Sequence, residues 1–305
     1  MKILIKGARV IDPLHGVDTV QDVLVNGNRI SRVGTNLTAD NAKVIMAEGK
    51  LLVPGLIDIH VHLREPGREH KETIHSGCRA AAAGGFTTVC CMPNTLPSID
   101  SASIVDYVLT KADTAVVNCY PIAAITLGQR GEILTDTSEL KAAGAVAFSD
   151  DGEPVNNSRL LYEALLASKG HNLPIIVHCE DKHLAGKGAM HEGYRSTVLN
   201  IPGIPAAAED AMVARDLTLT ELSGGRLHIA HVSTKGAITL IRQAKDRGVN
   251  VTCEVTPHHL CLTHDHVNIE DANTKMNPPL RTHEDVAADR KSVVLGKSVD
   301  MGGRR

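Results

Sequence analysis

The sequence predicts an α/β protein built on a (β/α)8 TIM-like barrel, preceded by a small N-terminal domain of the β-sandwich type. Two observations support this fold class. After residue 54, apolar strand-like runs alternate with helix-like segments, and nearly continuous apolar strands in such an alternation are typical of a parallel sheet covered by helices. In addition, no Gly-x-Gly-x-x-Gly motif follows the first strand of that region, which disfavours a doubly wound dinucleotide-binding fold.

Residues 1–54 are predicted to form the small β domain. Their strand-like runs are short and are separated by turn signals such as Asn26-Gly27, and Pro54-Gly55 ends the region. A change of pattern at that point indicates a domain boundary. The predicted strands are Ile3–Ile5, Asp22–Val25, Arg29–Val33, Lys43–Met46 and Leu51–Val53.

Residues 55–289 are predicted to form the barrel. Seven strands are counted where a closed barrel needs eight, so we expect the barrel to be incomplete. The predicted strands are Leu56–His62, Thr87–Met92, Val116–Ile125, Ala145–Phe148, Ile175–His178, Leu227–His231 and Val249–Val255. The predicted helices are Lys71–Ala83, Ser101–Lys111, Thr137–Ala143, Ser158–Ser168, Ala206–Leu222 and Lys235–Arg247.

Composition excludes several classes of function. The 305 residues are 43% hydrophobic with a formal charge of −3 and 2% aromatic residues, so nucleic acid and anionic membranes are disfavoured as partners. No apolar run approaches the roughly 20 residues of a membrane span. The seven cysteines lie mostly inside apolar runs, which is typical of reduced thiols and predicts a cytoplasmic location.

The first barrel strand carries the most informative motif in the chain. His60 and His62 lie two residues apart, and Arg64 follows two residues later. Because side chains of a strand alternate between its faces, both imidazoles point the same way. Imidazole is a ligand that zinc and its neighbours in the first transition series prefer. The alternative is a pair of hydrogen-bonded core histidines.

Metal-binding residue types recur at the carboxyl ends of five predicted strands. That end of a parallel barrel is where active sites lie, and core histidines have no reason to collect there. Asp150 is an alternative to Asp151, one residue away and facing oppositely. The candidate metal ligands are His60, His62, Asp151, His178 and His231.

Four histidines and one carboxylate can hold two divalent metals if the carboxylate bridges them, and such pairs activate water and polarise a carbonyl group. We prefer Asp151 as the bridge. Arg64 can grip a substrate carboxylate with two hydrogen bonds, and Asn94 and Asn277 can add amide contacts. The alternatives are an ion pair of Arg64 with Glu65 or Glu69, and turn-forming roles for the two asparagines. His258 and His259 are expected to support the site from outside or to lie in a loop.

Eight segments together resemble the class I dihydroorotases of the amidohydrolase superfamily, over residues 1–288. The resemblance implies an amidohydrolase barrel that catalyses the reversible, zinc-dependent cyclisation of N-carbamoyl-L-aspartate to L-dihydroorotate in pyrimidine synthesis. It assigns the five candidate ligands to two Zn²⁺ ions bridged by Asp151, and Arg64, Asn94 and Asn277 to the substrate. The segments are Gly55–Gly67, Gly84–Val89, Met92–Thr95, Phe148–Gly152, Val177–Glu180, His231–Gly236, Glu254–His259 and Lys275–Arg281.

Two alternatives to this function stay open. Many superfamily members bridge their metals with a carboxylated lysine, and Asp151 in that place separates the chain from most hydantoinases and allantoinases. Another cyclic amidase nevertheless remains the runner-up enzyme. The second alternative is a non-catalytic dihydroorotase-like partner of aspartate transcarbamoylase. For assembly, we expect a homodimer or a complex with aspartate transcarbamoylase.

The resemblance ends near residue 289. The family continues into an eighth strand with an Asp-His-x-Pro-His motif, whose aspartate is the general acid–base, and no such motif occurs in this sequence. We therefore assign no catalytic acid–base residue in this chain. Residues 290–305 are predicted to be a tail foreign to the family. As a truncated form, the polypeptide is expected to fold poorly and to have impaired activity.

Overall fold

The computed structural model describes residues 1–294, with side chains as far as residue 291. Within it the chain forms two compact units. The first unit holds Met1–Ile57 and Gly85–Thr87, and the second holds Asp58–Gly84 and the residues from Thr88 onward. In the described part of the chain, no helix is both long and apolar enough to cross a membrane.

The first unit is a five-stranded mixed sheet in the order β3-β2-β1-β4, with β5 also paired to β1. β1 runs antiparallel to β2 and parallel to β4 and β5. β1 is longer than predicted because a register shift between Ile5 and Ala8 lets the strand continue past the polar Lys6-Gly7. The strands are β1 Lys2–Asp12, β2 Val17–Asn26, β3 Arg29–Gly34, β4 Ala42–Met46 and β5 Leu51–Leu52.

The second sheet confirms the predicted fold class. Its seven strands, counted over residues 1–294, follow one another as β6-β7-β8-β9-β10-β13-β14, and the pairs from β7 onward are parallel. This is the sheet of an incomplete barrel. The strands are β6 Leu56–Val61, β7 Phe86–Cys91, β8 Asn118–Ala123, β9 Ala147–Ser149, β10 Ile175–Val177, β13 Leu227–Ile229 and β14 Val251–Cys253.

Helices follow most strands of this sheet, and their ends are set by capping side chains. α1 begins at Ile74 rather than at the predicted Lys71, because the Thr73 hydroxyl accepts the backbone N–H of Ser76. α4 continues to His171, where Asn172 ends it in the left-handed conformation. The main helices are α1 Ile74–Ala83, α2 Ala102–Ala112, α3 Thr137–Ala143, α4 Ser158–His171, α7 Ala207–Ser223 and α8 Lys235–Asp246.

The sequence did not predict six further elements, all of them short except α10. β11 and β12 pair with each other in parallel, outside the large sheet. Residues 290–294 of the predicted tail continue α10, and residues 295–305 lie outside the described residues. These elements are β11 Met190–His191, β12 Gly203–Ile204, α5 Lys182–Ala185, α6 Tyr194–Leu199, α9 Pro257–Cys261 and α10 His283–Val294.

The alternation of side chains along the short strands decides what enters the barrel. On β10, Ile175 and Val177 pack into the large core, whereas Ile176 belongs to a separate inner cluster that includes Met92. Because side chains alternate along a strand, His178 lies on the same inner side as Ile176. The strand pattern thus brings a buried histidine to the carboxyl end of the barrel interior.

Candidate metal centre

Asp151 lies at the centre of a cluster of four histidines. It follows β9 and is buried. Its Oδ1 lies 3.5 Å from His60 Nε2, 3.4 Å from His231 Nε2 and 3.9 Å from His178 Nδ1, and its Oδ2 lies 3.5 Å from His62 Nε2. The structure therefore brings together all five predicted ligands, which come from four different strand ends.

Two of these histidines are oriented by a bond to the other ring nitrogen. His60 Nδ1 donates to Glu254 Oε1 at 2.5 Å, and His62 Nδ1 lies 3.0 Å from Asn94 Oδ1. A carboxylate or amide oxygen can only accept, so both rings carry their proton on Nδ1. The Nε2 atoms of both rings consequently face Asp151.

The cluster fits a metal better than it fits a hydrogen-bonded core. Asp151 Oδ1 faces three of the histidines and is a buried atom without a hydrogen-bond partner, and such an atom is costly unless something binds it. Two trios of ligand atoms, each within 4.8 Å of one another, share Asp151. We call His60, His62 and Asp151 the first trio, and Asp151, His178 and His231 the second trio. Imidazole and carboxylate are the donors that zinc-type cations bind.

The charges of the cluster also call for a cation. Burial alone would raise the pKa of Asp151, but His231 and His60 hold it well below its usual range. Burial opposes protonation of His60, yet the nearby carboxylates of Asp151 and Glu254 raise its pKa to about 10. The cluster therefore attracts positive charge, which the His60 ring carries in the metal-free protein and which a divalent ion bound there would supply instead.

The backbone is strained at two site residues. His231 has φ of 33° and Arg64 has φ of 61°, which lies in the left-handed region that non-glycine residues rarely adopt. Such conformations cost about 1–3 kcal/mol and persist where surrounding structure holds them. Both strained residues lie at the cluster in sequence, since His231 is a candidate ligand and Arg64 follows His62 by two residues.

The Arg64 guanidinium has no hydrogen-bond or ion-pair partner among the described residues, although the residue is half-buried. Glu65 accepts from the Ile74 N–H and the Tyr107 hydroxyl. Glu69 accepts from a backbone N–H of its own loop. The alternative ion pairs with Glu65 and Glu69 are thus not formed, and the guanidinium is available to an anion.

The two predicted asparagines are placed differently. Asn94 contacts the cluster through His62, which leaves its amide NH2 group for another partner. Asn277 is exposed, and a cis peptide links it to Pro278. The Pro278 carbonyl accepts from His259 Nε2 at 3.0 Å, so the loop of Asn277 is held by a buried histidine rather than by the cluster itself.

Asp150 faces away from the cluster. Its Oδ1 accepts the backbone N–H groups of Ile125 and Thr126 at 2.8 and 3.1 Å. Burial raises its pKa to about 6. The sequence left open which aspartate faces the histidines, and the structure turns Asp151 inward.

Glu254 is the site residue that sequence reasoning missed. It follows β14, at the carboxyl edge of the sheet where the candidate ligands also lie. That position could have identified it from the sequence as a residue of the site. Its carboxylate contacts His60 and, at 3.3 Å, His228.

Comparison with known proteins places the chain in a family. The Dihydro-orotase-like family model matches residues 49–237. Dihydroorotase from Pelotomaculum thermopropionicum is 53% identical over 296 residues, which are 97% of this chain and 69% of that protein. The chain belongs to the dihydroorotase family. Family relatives from Trichlorobacter lovleyi and Geobacter metallireducens are 52% and 51% identical over 94% and 97% of this chain, and over 68% and 70% of their own lengths.

Solved structures support the same fold. A D-hydantoinase superposes with a TM-score of 0.81 at 26% identity, covering 97% of this chain and 67% of that one. The L-hydantoinase (dihydropyrimidinase) of Arthrobacter aurescens gives a TM-score of 0.83 at 23% identity with the same coverage. At this identity the second likeness concerns the fold alone. The much higher identity to dihydroorotases separates the chain from the hydantoinases.

Proposed function

We propose that this protein is a dihydroorotase, which interconverts N-carbamoyl-L-aspartate and L-dihydroorotate in pyrimidine synthesis. The proposal rests on one arrangement of residues. Two ligand trios share Asp151, and the guanidinium of Arg64, which has no partner in the described structure, interacts electrostatically with that aspartate. A metal centre beside a free cation suits a cyclic amide that bears a carboxylate.

The metal centre is assigned to two Zn²⁺ ions. The first trio would hold one ion and the second trio the other, with Asp151 as the shared ligand. Bound there, the metal supplies Lewis acidity, which polarises the amide carbonyl of the ring and makes water more acidic. The buried Oδ1 atom of Asp151, which has no hydrogen-bond partner in the protein, supports this assignment.

The remaining site residues bind and orient the substrate. Arg64 donates two hydrogen bonds to the substrate carboxylate, which fixes the direction of the ring. Asn94 offers its amide NH2 group from beside His62. Asn277 offers its amide from the loop that His259 holds. Together they orient the amide bond toward the ligand trios.

The decisive test measures zinc content and dihydroorotate hydrolysis in two proteins. One is the 305-residue chain. The other is a chimaera in which residues 1–289 continue into the matching region of the longer Pelotomaculum relative. We expect zinc in both proteins, zinc-dependent hydrolysis of dihydroorotate by the chimaera, and little hydrolysis by the 305-residue chain, for which no acid–base residue is assigned. A folded, zinc-free preparation, or zinc-loaded proteins that hydrolyse only hydantoin or allantoin, would defeat the proposal.

Location and assembly are further proposals. All seven cysteines are free thiols, which supports a cytoplasmic protein. A homodimer or a complex with aspartate transcarbamoylase stays a prediction. Light scattering on the protein alone and mixed with the transcarbamoylase tests both assemblies.

A further inference from the structure

We infer that Glu254 is a positioning residue of the metal centre, which fixes the first trio through His60 and ties it to the second trio through His231. The inference rests on the proposed function, because it requires that the trios hold metal. Glu254 itself belongs to neither trio.

A single carboxylate makes three contacts that join the two trios. Glu254 Oε1 accepts from His60 Nδ1 at 2.5 Å and lies 3.3 Å from the backbone N–H of His231. Its Oε2 lies 3.3 Å from His228 Nε2. Glu254 therefore holds a side chain of the first trio and the strained backbone of the second.

The bond to His60 decides which nitrogen can bind a metal. An ionised carboxylate accepts only, so it keeps a proton on His60 Nδ1 and leaves Nε2, which faces Asp151, as the nitrogen that can bind a metal. Without the carboxylate, the buried Nδ1–H loses its partner and the ring can turn or change tautomer. By contrast, the second trio has no such support, since His178 Nε2 and His231 Nδ1 have no hydrogen-bond partner in the described structure.

His228 orients Glu254 in turn. His228 and Thr252 are partners across the β13–β14 pair, and the His228 Nδ1 lies 2.8 Å from the Thr252 hydroxyl. This bond directs the other ring nitrogen of His228 at Glu254. A chain of hydrogen bonds thus runs from Thr252 through His228 and Glu254 to His60.

Cobalt titration of the metal-stripped 305-residue protein tests the inference, with visible absorption as the readout. Glu254→Met removes the acceptor at similar size, and Glu254→Gln keeps one amide oxygen that can accept from His60. Asp285→Asn is the matched control, because Asp285 is a buried carboxylate that accepts from Lys235 and Thr282 and belongs to neither trio. Circular dichroism and the thermal transition check that each variant is folded.

We expect the wild type and Asp285→Asn to bind two equivalents. In Glu254→Met, one equivalent should bind about 10–100-fold more weakly, with a smaller loss in Glu254→Gln. In a His178→Ala background, which leaves only the first trio intact, the loss should persist.

Unchanged affinity for both equivalents in folded Glu254→Met overturns the inference. If that variant does not fold, unchanged affinity in Glu254→Gln overturns it instead. Failure of the proposed function looks different, because the wild type itself would then bind no divalent metal.

Discussion

Asp151 is the residue on which both trios depend, because each of its carboxylate oxygens faces imidazole nitrogens at 3.4–3.5 Å. Its neighbour Asp150 has the same side chain, but that side chain accepts hydrogen bonds from backbone N–H groups of the preceding loop. The two aspartates thus have different roles, and a substitution of Asp150 is the control for the same substitution of Asp151.

The Asp151→Asn variant should lose metal. An amide is a poor metal ligand beside a carboxylate, so we expect the zinc content to fall from two equivalents to one or fewer. Asp150→Asn should keep the metal, since its side chain points away from the histidines. Elemental analysis of the purified variants measures this. Equal zinc content in the two variants would contradict the placement of Asp151.

Arg64→Ala should separate substrates by charge. A hydrogen bond to a charged group contributes about 1.5–3 kcal/mol, so in the chimaera kcat/KM for dihydroorotate should fall roughly 10- to 100-fold. Hydrolysis of dihydrouracil, the same ring without the carboxylate, should change little. Arg68→Ala, an exposed neighbour, is the control. Equal losses on both rings would show that Arg64 does not bind a carboxylate.

At the scale of elements, a buried ion pair fixes the loop that carries His231. Arg281 Nη2 lies 3.4 Å from Glu209 Oε2 at the start of α7, and Arg281 Nε donates to the Ser233 hydroxyl. Glu209 also accepts the backbone N–H groups of Ser233 and Thr234. These bonds hold the segment between β13 and α8.

Arg281→Met should therefore destabilise the fold strongly. The change leaves the buried Glu209 carboxylate without its cation, which typically costs about 3–5 kcal/mol. The double variant with Glu209→Gln should recover part of this loss, because no buried charge then remains. Urea unfolding monitored by circular dichroism measures both. A loss below about 1 kcal/mol in the single variant would argue against the pair.

His259 should make the fold sensitive to acid. Burial lowers its pKa to about 3, below the ordinary value of a histidine. Between these two pKa values His259 is therefore protonated in the unfolded chain and neutral in the folded chain. The contribution of neutral His259 to the free energy of unfolding is fully present above about pH 6.5 and is lost as the pH falls toward 3. The expected loss between pH 6.5 and 4 is on the order of 2–3 kcal/mol.

The measurement is unfolding free energy against pH in the metal-free protein. His259→Gln should give a flatter profile than the wild type, whereas the exposed His183→Gln should follow the wild type. Parallel profiles in all three proteins would rule out the contribution of His259.

The sequence predicted the main elements because their patterns are long. α3 has the predicted bounds, and α8 begins at the predicted Lys235. Two-residue strands such as β11 and β12 carry no periodic pattern, so they could not be predicted. The start of α1 was wrong because a single hydroxyl, that of Thr73, decides it.

At the scale of the whole molecule, the parallel sheet assembles the site from distant parts of the chain. The rule that such sheets gather their functional groups at the carboxyl ends of strands was enough to predict from sequence that the five candidate ligands lie together, as they do in the structure. The contact of His60 with Glu254 joins residues 194 positions apart. Such pairing depends on strand register and side-chain rotamers, which no motif in a single sequence specifies.

The most direct test of the shared-carboxylate centre is a crystal structure of the zinc-loaded protein with anomalous data at the zinc edge. We predict two anomalous peaks, one against His60 and His62 and the other against His178 and His231, with Asp151 between them. No peak at this cluster, or zinc bound only elsewhere, would contradict the account.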